Sequence, residues 1–159
     1  MSEIRFRAAT RADDAFFRQM EFHTTWHSLD PEERERLKAA DIREALDLTH
    51  ELLLARPGNQ IVVAENEQGE RVGLLWFGVN RNLVTGEDEA WIYNVGVVEE
   101  HQGLGIGRRL MEHAEELARA GGFETLGLMV SSHNVRARAL YERLAFTESN
   151  ILMRKKLNR

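Results

Sequence analysis

A chain of 159 residues with 43% hydrophobic and 30% charged side chains fits one globular domain with one core, and only two prolines argue against a disordered chain. The lack of cysteine removes disulfides, thiolate metal sites and a cysteine nucleophile, and a net charge of −5 disfavours nonspecific nucleic-acid binding, which needs an excess of cations. No apolar run approaches the roughly 20 residues a bilayer demands, and Met1-Ser2-Glu3-Ile4-Arg5 lacks the basic-then-apolar pattern of a signal peptide, so a cytoplasmic protein without membrane contact is expected.

Ile4-Arg5-Phe6-Arg7 alternates apolar and polar residues like a half-buried strand, over about 3–8. Thr10-Arg11-Ala12-Asp13-Asp14 then opens a helix over about 11–22, with acids near its positive end. Asp30-Pro31-Glu32-Glu33 combines an N-cap acid, proline at the first helical position and a carboxylate three residues on, so a long helix or a broken pair should fill 31–55 and stop at Pro57-Gly58. The β-rich runs 60–65 and 71–79 flank a turn-like Asn66-Glu67-Gln68-Gly69-Glu70, a hairpin pattern. A further strand covers 90–98, where Gly96 marks a bulge or a close backbone approach. Beyond it come a glycine-rich turn, a helix over 105–120 ended by Gly121-Gly122, a short strand over 124–130 and a helix over 134–144. Two more strands are expected over 146–157, turning near Ser149-Asn150. No repeat or linker divides the chain, so residues 1–159 read as one domain.

The densest chemical signal is Gln102-Gly103-Leu104-Gly105-Ile106-Gly107-Arg108-Arg109, which follows a strand and opens a helix. Small residues there free several backbone N–H groups at the positive end of a helix dipole, a geometry suited to a pyrophosphate. A Walker loop would need Gly-Lys-Ser/Thr after four residues. A dinucleotide fingerprint would need a small residue where Arg108 or Leu110 stands.

The pattern that does match is Gln/Arg-x-x-Gly-x-Gly/Ala, and with it the chain resembles the GNAT superfamily of acyl-CoA-dependent N-acetyltransferases over nearly its whole length. The first matching block runs from Val95-Gly96-Val97 through Leu110. The second, Asn134-Val135-Arg136-Ala137-Arg138-Ala139-Leu140-Tyr141-Glu142-Arg143-Leu144-Ala145-Phe146, is similar to the family's N-x-x-A-x-x-L-Y-x-x-x-G-F. The resemblance implies an α/β fold, a mixed and mostly antiparallel sheet of about seven strands with helices on both faces, split in a V between the fourth and fifth strands. It implies transfer of an acetyl group from acetyl-CoA to a primary amine of a small molecule or a protein by direct attack in a ternary complex. A noncatalytic acyl-CoA-binding or sensor module is the alternative. Dimers are common in the family, so a homodimer is a candidate assembly.

Carried over residue by residue, the resemblance implies that the amides of Gln102, Gly103, Leu104, Gly105, Ile106, Gly107 and Arg108 bind the pyrophosphate of acetyl-CoA, helped by the charge of Arg108 or Arg109. Val97 matches a position that bonds pantetheine, and the Val95 amide matches the donor that polarises the thioester carbonyl. Tyr141 matches the general acid for the departing thiolate, since a phenol with a pKa of about 10 stays protonated at neutral pH. Asn134 matches a residue that caps its helix and touches the cofactor.

Departures from the family concern the base. Histone-acetylating relatives carry glutamate at the position of Trp91, and ribosomal-protein N-terminal acetyltransferases carry one at the position of Met129; neither is kept. Glu89, Tyr93 and an ordered water relay are the remaining candidates. Ala145 replaces the motif's glycine, at a cost of about 1 kcal/mol if the backbone needs positive φ there. By resemblance, the region of His23, Trp26 and His27 walls the acceptor site, with Tyr93. The i, i+4 histidines lack an evident third ligand and the glutamate of H-E-x-x-H, so no metal is expected; a structural or surface pair is the other reading.

Overall fold

The computed structural model describes residues 3–158. Five strands, β1 (Arg5–Ala8), β2 (Gln60–Glu65), β3 (Arg71–Arg81), β4 (Asp88–Val97) and β5 (Leu126–Leu128), form one sheet in that order. The first three pairings are antiparallel, and β4 pairs with β5 in parallel. β3 is the central strand because its run from Val72 to Phe77 is apolar on both sides and is buried on both faces.

Helices cover each face. Helix α4 (Ile106–Ala120) places Ile106, Leu110, Met111, Ala114 and Ala118 along one stripe, and these pack on Val62, Leu75, Phe77, Ala90 and Ile92. On the other face, α1 (Asp14–Ser28) lays Phe17 and Met20 on Val63, Leu74 and Trp76, with Leu53 and Leu54 of α3 (Ala39–Leu54) alongside. Between α1 and α3 lies the short α2 (Pro31–Arg36), started as expected by the Asp30 carboxylate, which accepts from the Glu32 amide at 2.9 Å. Helix α5 (Val135–Arg143) joins the α4 face, where Tyr141, Leu144 and Phe146 close the core.

A buried ion network fixes where α1 begins. Asp13 is 1% exposed and takes both nitrogens of the Arg7 fork at 2.8 and 2.9 Å, Arg71 Nε at 2.6 Å and the Thr10 amide at 2.7 Å. Those cations hold its carboxyl well below the usual carboxylate range. A first turn of 3₁₀ helix over 11–13 accommodates the geometry, so the expected helix over 11–22 starts later and runs longer, to Ser28.

The expectation of about seven strands is not met. Residues 147–158 form no ladder and make no backbone hydrogen bond among the described residues. They stand exposed, held instead by side-chain ion pairs: Glu148 to Arg138, Arg154 to Glu33 and Lys156 to Glu32. Apolar runs read as strands only where a neighbouring edge takes their backbone groups, and here none does.

Candidate active site

The register between β3 and β4 slips once. Trp76 faces Asn94 and Phe77 faces Ile92, which leaves Tyr93 as the extra residue of a β-bulge. Ahead of the bulge Ala90 and Ile92 face α4; after it Val95 and Val97 do, while Tyr93 packs with Trp76 on the α1 face. Gly96, read from sequence as a bulge or close approach, is the second of these. A Cβ there would sit 2.9 Å from Met20 Cε and 3.0 Å from Thr24 Cγ2. Asn94 secures α1 over this point by donating to Thr24 Oγ1 at 3.0 Å.

Pairing between β4 and β5 covers only Ala90, Trp91 and Ile92, so the strands part where the bulge begins. The Val98 amide donates to Val72 O at 2.9 Å. Antiparallel bonding alternates, so Gly96 and Asn94 also face β3, whereas Val95 and Val97 turn their N–H and C=O groups to the open edge. The Gln102 side chain confirms the direction by donating to Val97 O at 3.1 Å, and its Oε1 accepts from Arg136 of α5 at 3.1 Å. Gln102 thus ties the end of β4 to α5 at the base of the opening. This bridge was not read from the sequence, where glutamine figured only through its amide.

Past that bridge lies the glycine-rich turn. Gly103 and Gly105 have φ of +81° and +83°, and nothing lies within 4 Å of a Cβ built on either. Left-handed backbone lets the chain turn into α4 with its N–H groups aimed outward. The amides of Gly103, Leu104, Gly105, Ile106, Gly107 and Arg108 have no hydrogen-bond acceptor among the described residues; the first helical bond runs from Arg109 to Gly105 O. Six free donors thus lie at the positive end of a four-turn helix, in the turn that follows β4.

The flanking arginines separate. Arg108 stays exposed beside the turn, paired with Glu112. Arg109 turns away, donating to Ile4 O at 3.1 Å and lying over the Phe6 ring, so it braces β1 and is not directed at the turn. On α5, Asn134 caps its helix by accepting from the Ala137 amide at 3.2 Å. Tyr141 is largely buried beside Phe146 at 5.9 Å, and burial raises its phenol above the ordinary value.

The residues read as base or acceptor wall are spread out. Glu89 sits at the start of β4, six residues and so about 20 Å from Val95, with its carboxylate accepting from Asn82 at 2.7 Å. Tyr93 donates its hydroxyl to Val79 O at 2.9 Å. His23 and His27 stack edge-on at 4.3 Å, and Trp26 stacks on Phe22 at 5.8 Å. Burial lowers the His27 pKa, helped by His23 and Arg34, against Glu99. No third His, Cys, Asp or Glu joins the histidine pair among the described residues. A cavity of about 160 Å³ between α1 and α3 is lined by Arg18, Glu21, Phe22, Arg43, Leu46 and Asp47, none of which belongs to the turn or to β4.

Comparison with known proteins is informative for this arrangement. A family model described as "Acetyltransferase (GNAT) family" matches residues 20–146, from within α1 to three residues past α5. The chain is similar to the uncharacterized N-acetyltransferase YdgE of Bacillus subtilis (strain 168), 38% identical over 92 residues that cover 58% of this chain and 57% of that one. The uncharacterized N-acetyltransferase YycN of the same organism is 32% identical over 104 residues, 65% of each chain. The matches therefore span less than two thirds of these relatives' length. A solved structure from Pyrococcus furiosus superposes with a TM-score of 0.79, covering 98% of this chain and 100% of that one at 23% identity, a likeness of fold.

Proposed function

From the premise that this chain belongs to the acetyltransferase (GNAT) family, we propose that it moves an acetyl group from acetyl-CoA to a primary amine by direct attack in a ternary complex. The observation that carries the reading is the row of six free amides at the start of α4, set beside a β4 edge whose Val95 and Val97 groups face the gap toward β5. Acetyl-CoA supplies the activated thioester; every other requirement falls to groups of this chain.

The amides from Gly103 to Arg108 meet a pyrophosphate, with Arg108 adding charge, and the clear space over Gly103 and Gly105 fits a close approach of phosphate oxygens. Val97 N–H takes up a pantetheine amide as a further strand would. Val95 N–H points at the thioester oxygen, where a donor fixed in advance is worth most because charge develops there during attack. Tyr141 holds the proton that the departing thiolate needs, and its burial keeps that proton in place at neutral pH. Glu89 is too far along β4, and Tyr93 is committed to Val79, so the attacking amine loses its proton to water rather than to a fixed carboxylate. His23, Trp26 and His27 wall the approach from α1.

Thiol release from acetyl-CoA, followed across a panel of primary amines, tests this reading. Amine-dependent release is expected; tight acetyl-CoA binding without release for any amine would favour a noncatalytic acyl-CoA-binding module instead.

A further inference from the structure

The gap that opens beyond Ile92 is bridged by one pair of side chains. Gln102 donates from Nε2 to Val97 O at 3.1 Å and accepts at Oε1 from Arg136 Nη1 at 3.1 Å. The ladder between β4 and β5 stops at Ile92 and Leu128, and among the described residues no other hydrogen bond joins 93–105 to 126–146. The main-chain N–H of Gln102 is itself committed, donating to Glu99 O at 3.2 Å, so it stands outside the row of free amides that begins at Gly103. Its side chain is what gives this position a role.

The two ends of the bridge belong to the two sides of the proposed reaction. Val97 lies two residues after Val95 on β4, whose N–H meets the thioester oxygen. Arg136 stands in the first turn of α5, and Tyr141, the proton donor, follows five residues later, about 7.5 Å along the axis. Little else fixes α5 at that end. None of its residues is fully buried, and its packing on the core comes from Tyr141, with Leu144 and Phe146 just past its C-terminus. The Asn134 cap bonds the Ala137 amide within the helix and holds it to no other element. Both bonds of the bridge are exposed to water, so they add little to stability, yet they define the distance across the gap.

We infer that Gln102 and Arg136 are positioning residues: their bridge sets the separation between the Val95 amide on β4 and the Tyr141 phenol on α5, and with it the reach of the proton donor to the thiolate sulfur. The inference rests on the acetyltransferase reading and on Tyr141 as its acid. Attack draws charge to the oxygen met by Val95, and collapse moves that charge to sulfur, so donors from both sides of the gap must fit one bound thioester. A displacement of about 1 Å in such a group can cost about a hundredfold in rate. Core contacts at the C-terminal end of α5 limit the displacement, so cutting the bridge should lower kcat by less, about five- to twentyfold.

Gln102→Leu and Arg136→Leu, singly and together, in wild type and in Tyr141→Phe, test this by steady-state thiol release with one accepted amine and by calorimetry of acetyl-CoA. Each single variant should lower kcat about five- to twentyfold while the acetyl-CoA Kd stays within about threefold, because every main-chain amide of the turn remains. The double variant should be no slower than the slower single one, since both substitutions cut one bridge, and Arg136→Lys, which keeps a cationic donor, should recover most of the rate. In Tyr141→Phe the same substitutions should change kcat by less than about twofold, because the group they position is gone. Single variants at the wild-type kcat, losses that multiply in the double variant, no recovery in Arg136→Lys, a loss undiminished in Tyr141→Phe, or a loss confined to acetyl-CoA affinity would each overturn the inference while leaving the acetyltransferase reading intact. Tyr141→Phe at the wild-type rate would overturn it too, by removing the acid. Wild-type protein that releases no thiol with any amine would overturn both the inference and the reading beneath it.

Discussion

Replacing Tyr141 with phenylalanine deletes one oxygen and keeps a ring whose packing the structure defines. That ring sits 5.9 Å from Phe146 and against the α4 side of the core, and the hydroxyl has no hydrogen-bond partner among the described residues. The stability change should accordingly stay below about 1 kcal/mol, a shift of no more than about 4 °C in Tm for a domain of this size. The catalytic effect should be far larger. A positioned general acid contributes about 10² to 10⁴ in rate, or roughly 3 to 5 kcal/mol of barrier at 1.36 kcal/mol per tenfold. Steady-state thiol release, measured where kcat is insensitive to viscosity and chemistry is limiting, should show kcat lowered by that factor with acetyl-CoA affinity unchanged. A pH profile adds a second check. Burial raises the Tyr141 phenol above its ordinary value of about 10, so the acid form persists and wild-type kcat should show no alkaline loss up to about pH 9. A variant within about threefold of wild type would refute the assignment and make water the proton source.

Three further outcomes follow from the packing. Gly127→Ala should destabilise by about 1–3 kcal/mol in urea unfolding, because its Cβ would overlap the Trp91 ring at Cζ3; a loss under about 0.5 kcal/mol would show that the indole swings away freely. Ala145 has φ of +67°, so Ala145→Gly should gain about 0.5–1 kcal/mol, a rise of roughly 2–4 °C in Tm, and a fall would show that the left-handed turn carries no strain. Glu21 is buried, accepts from His50 Nδ1 at 2.9 Å, and has its pKa raised by that burial. Ionising it in the fold is therefore costly, so its contribution is most favourable below the ordinary carboxyl range and is lost as pH rises through the raised value. Glu21→Gln should thus match or exceed wild-type Tm at pH 8, with the advantage shrinking toward pH 5; a variant markedly less stable at pH 8 would show that the charged pair holds α1 to α3.

The glycine turn is legible in the sequence because its chemistry is local: only glycine adopts the left-handed conformations of Gly103 and Gly105 without strain, and those conformations free the amides. The α4 stripe and the cap at Asp30 are legible for the same reason, since periodicity and capping act within a few residues. The bulge lies three residues from the glycine that suggests one. Gly96 marks where α1 presses on β4, a tertiary contact, whereas the bulge falls at Tyr93, whose ring gives no local sign of it. Arg109 follows the turn directly in sequence but points away from it, donating to the carbonyl of Ile4, 105 residues away and just ahead of β1, and lying over Phe6 of that strand. Glu89 lies near enough in sequence to be a candidate base, yet strand rise carries it away from Val95. The two missing strands fail by the same logic: β-propensity in 146–157 needs an edge to pair with, and the ion pairs to α5 and α2 take the segment elsewhere.

Titration calorimetry of acetyl-CoA against the wild type, Gly105→Asp and Gly69→Asp tests the central claim most directly. Both glycines have positive φ and open space where a Cβ would stand, so both variants bear the same strain and added charge, one at the start of α4 and one in the β2–β3 turn. Wild type and Gly69→Asp should bind alike, whereas Gly105→Asp should bind at least about a hundredfold more weakly, the loss expected when two charge-assisted amide bonds are blocked. Equal affinity in all three folded proteins would contradict the claim and remove the glycine turn from the cofactor site.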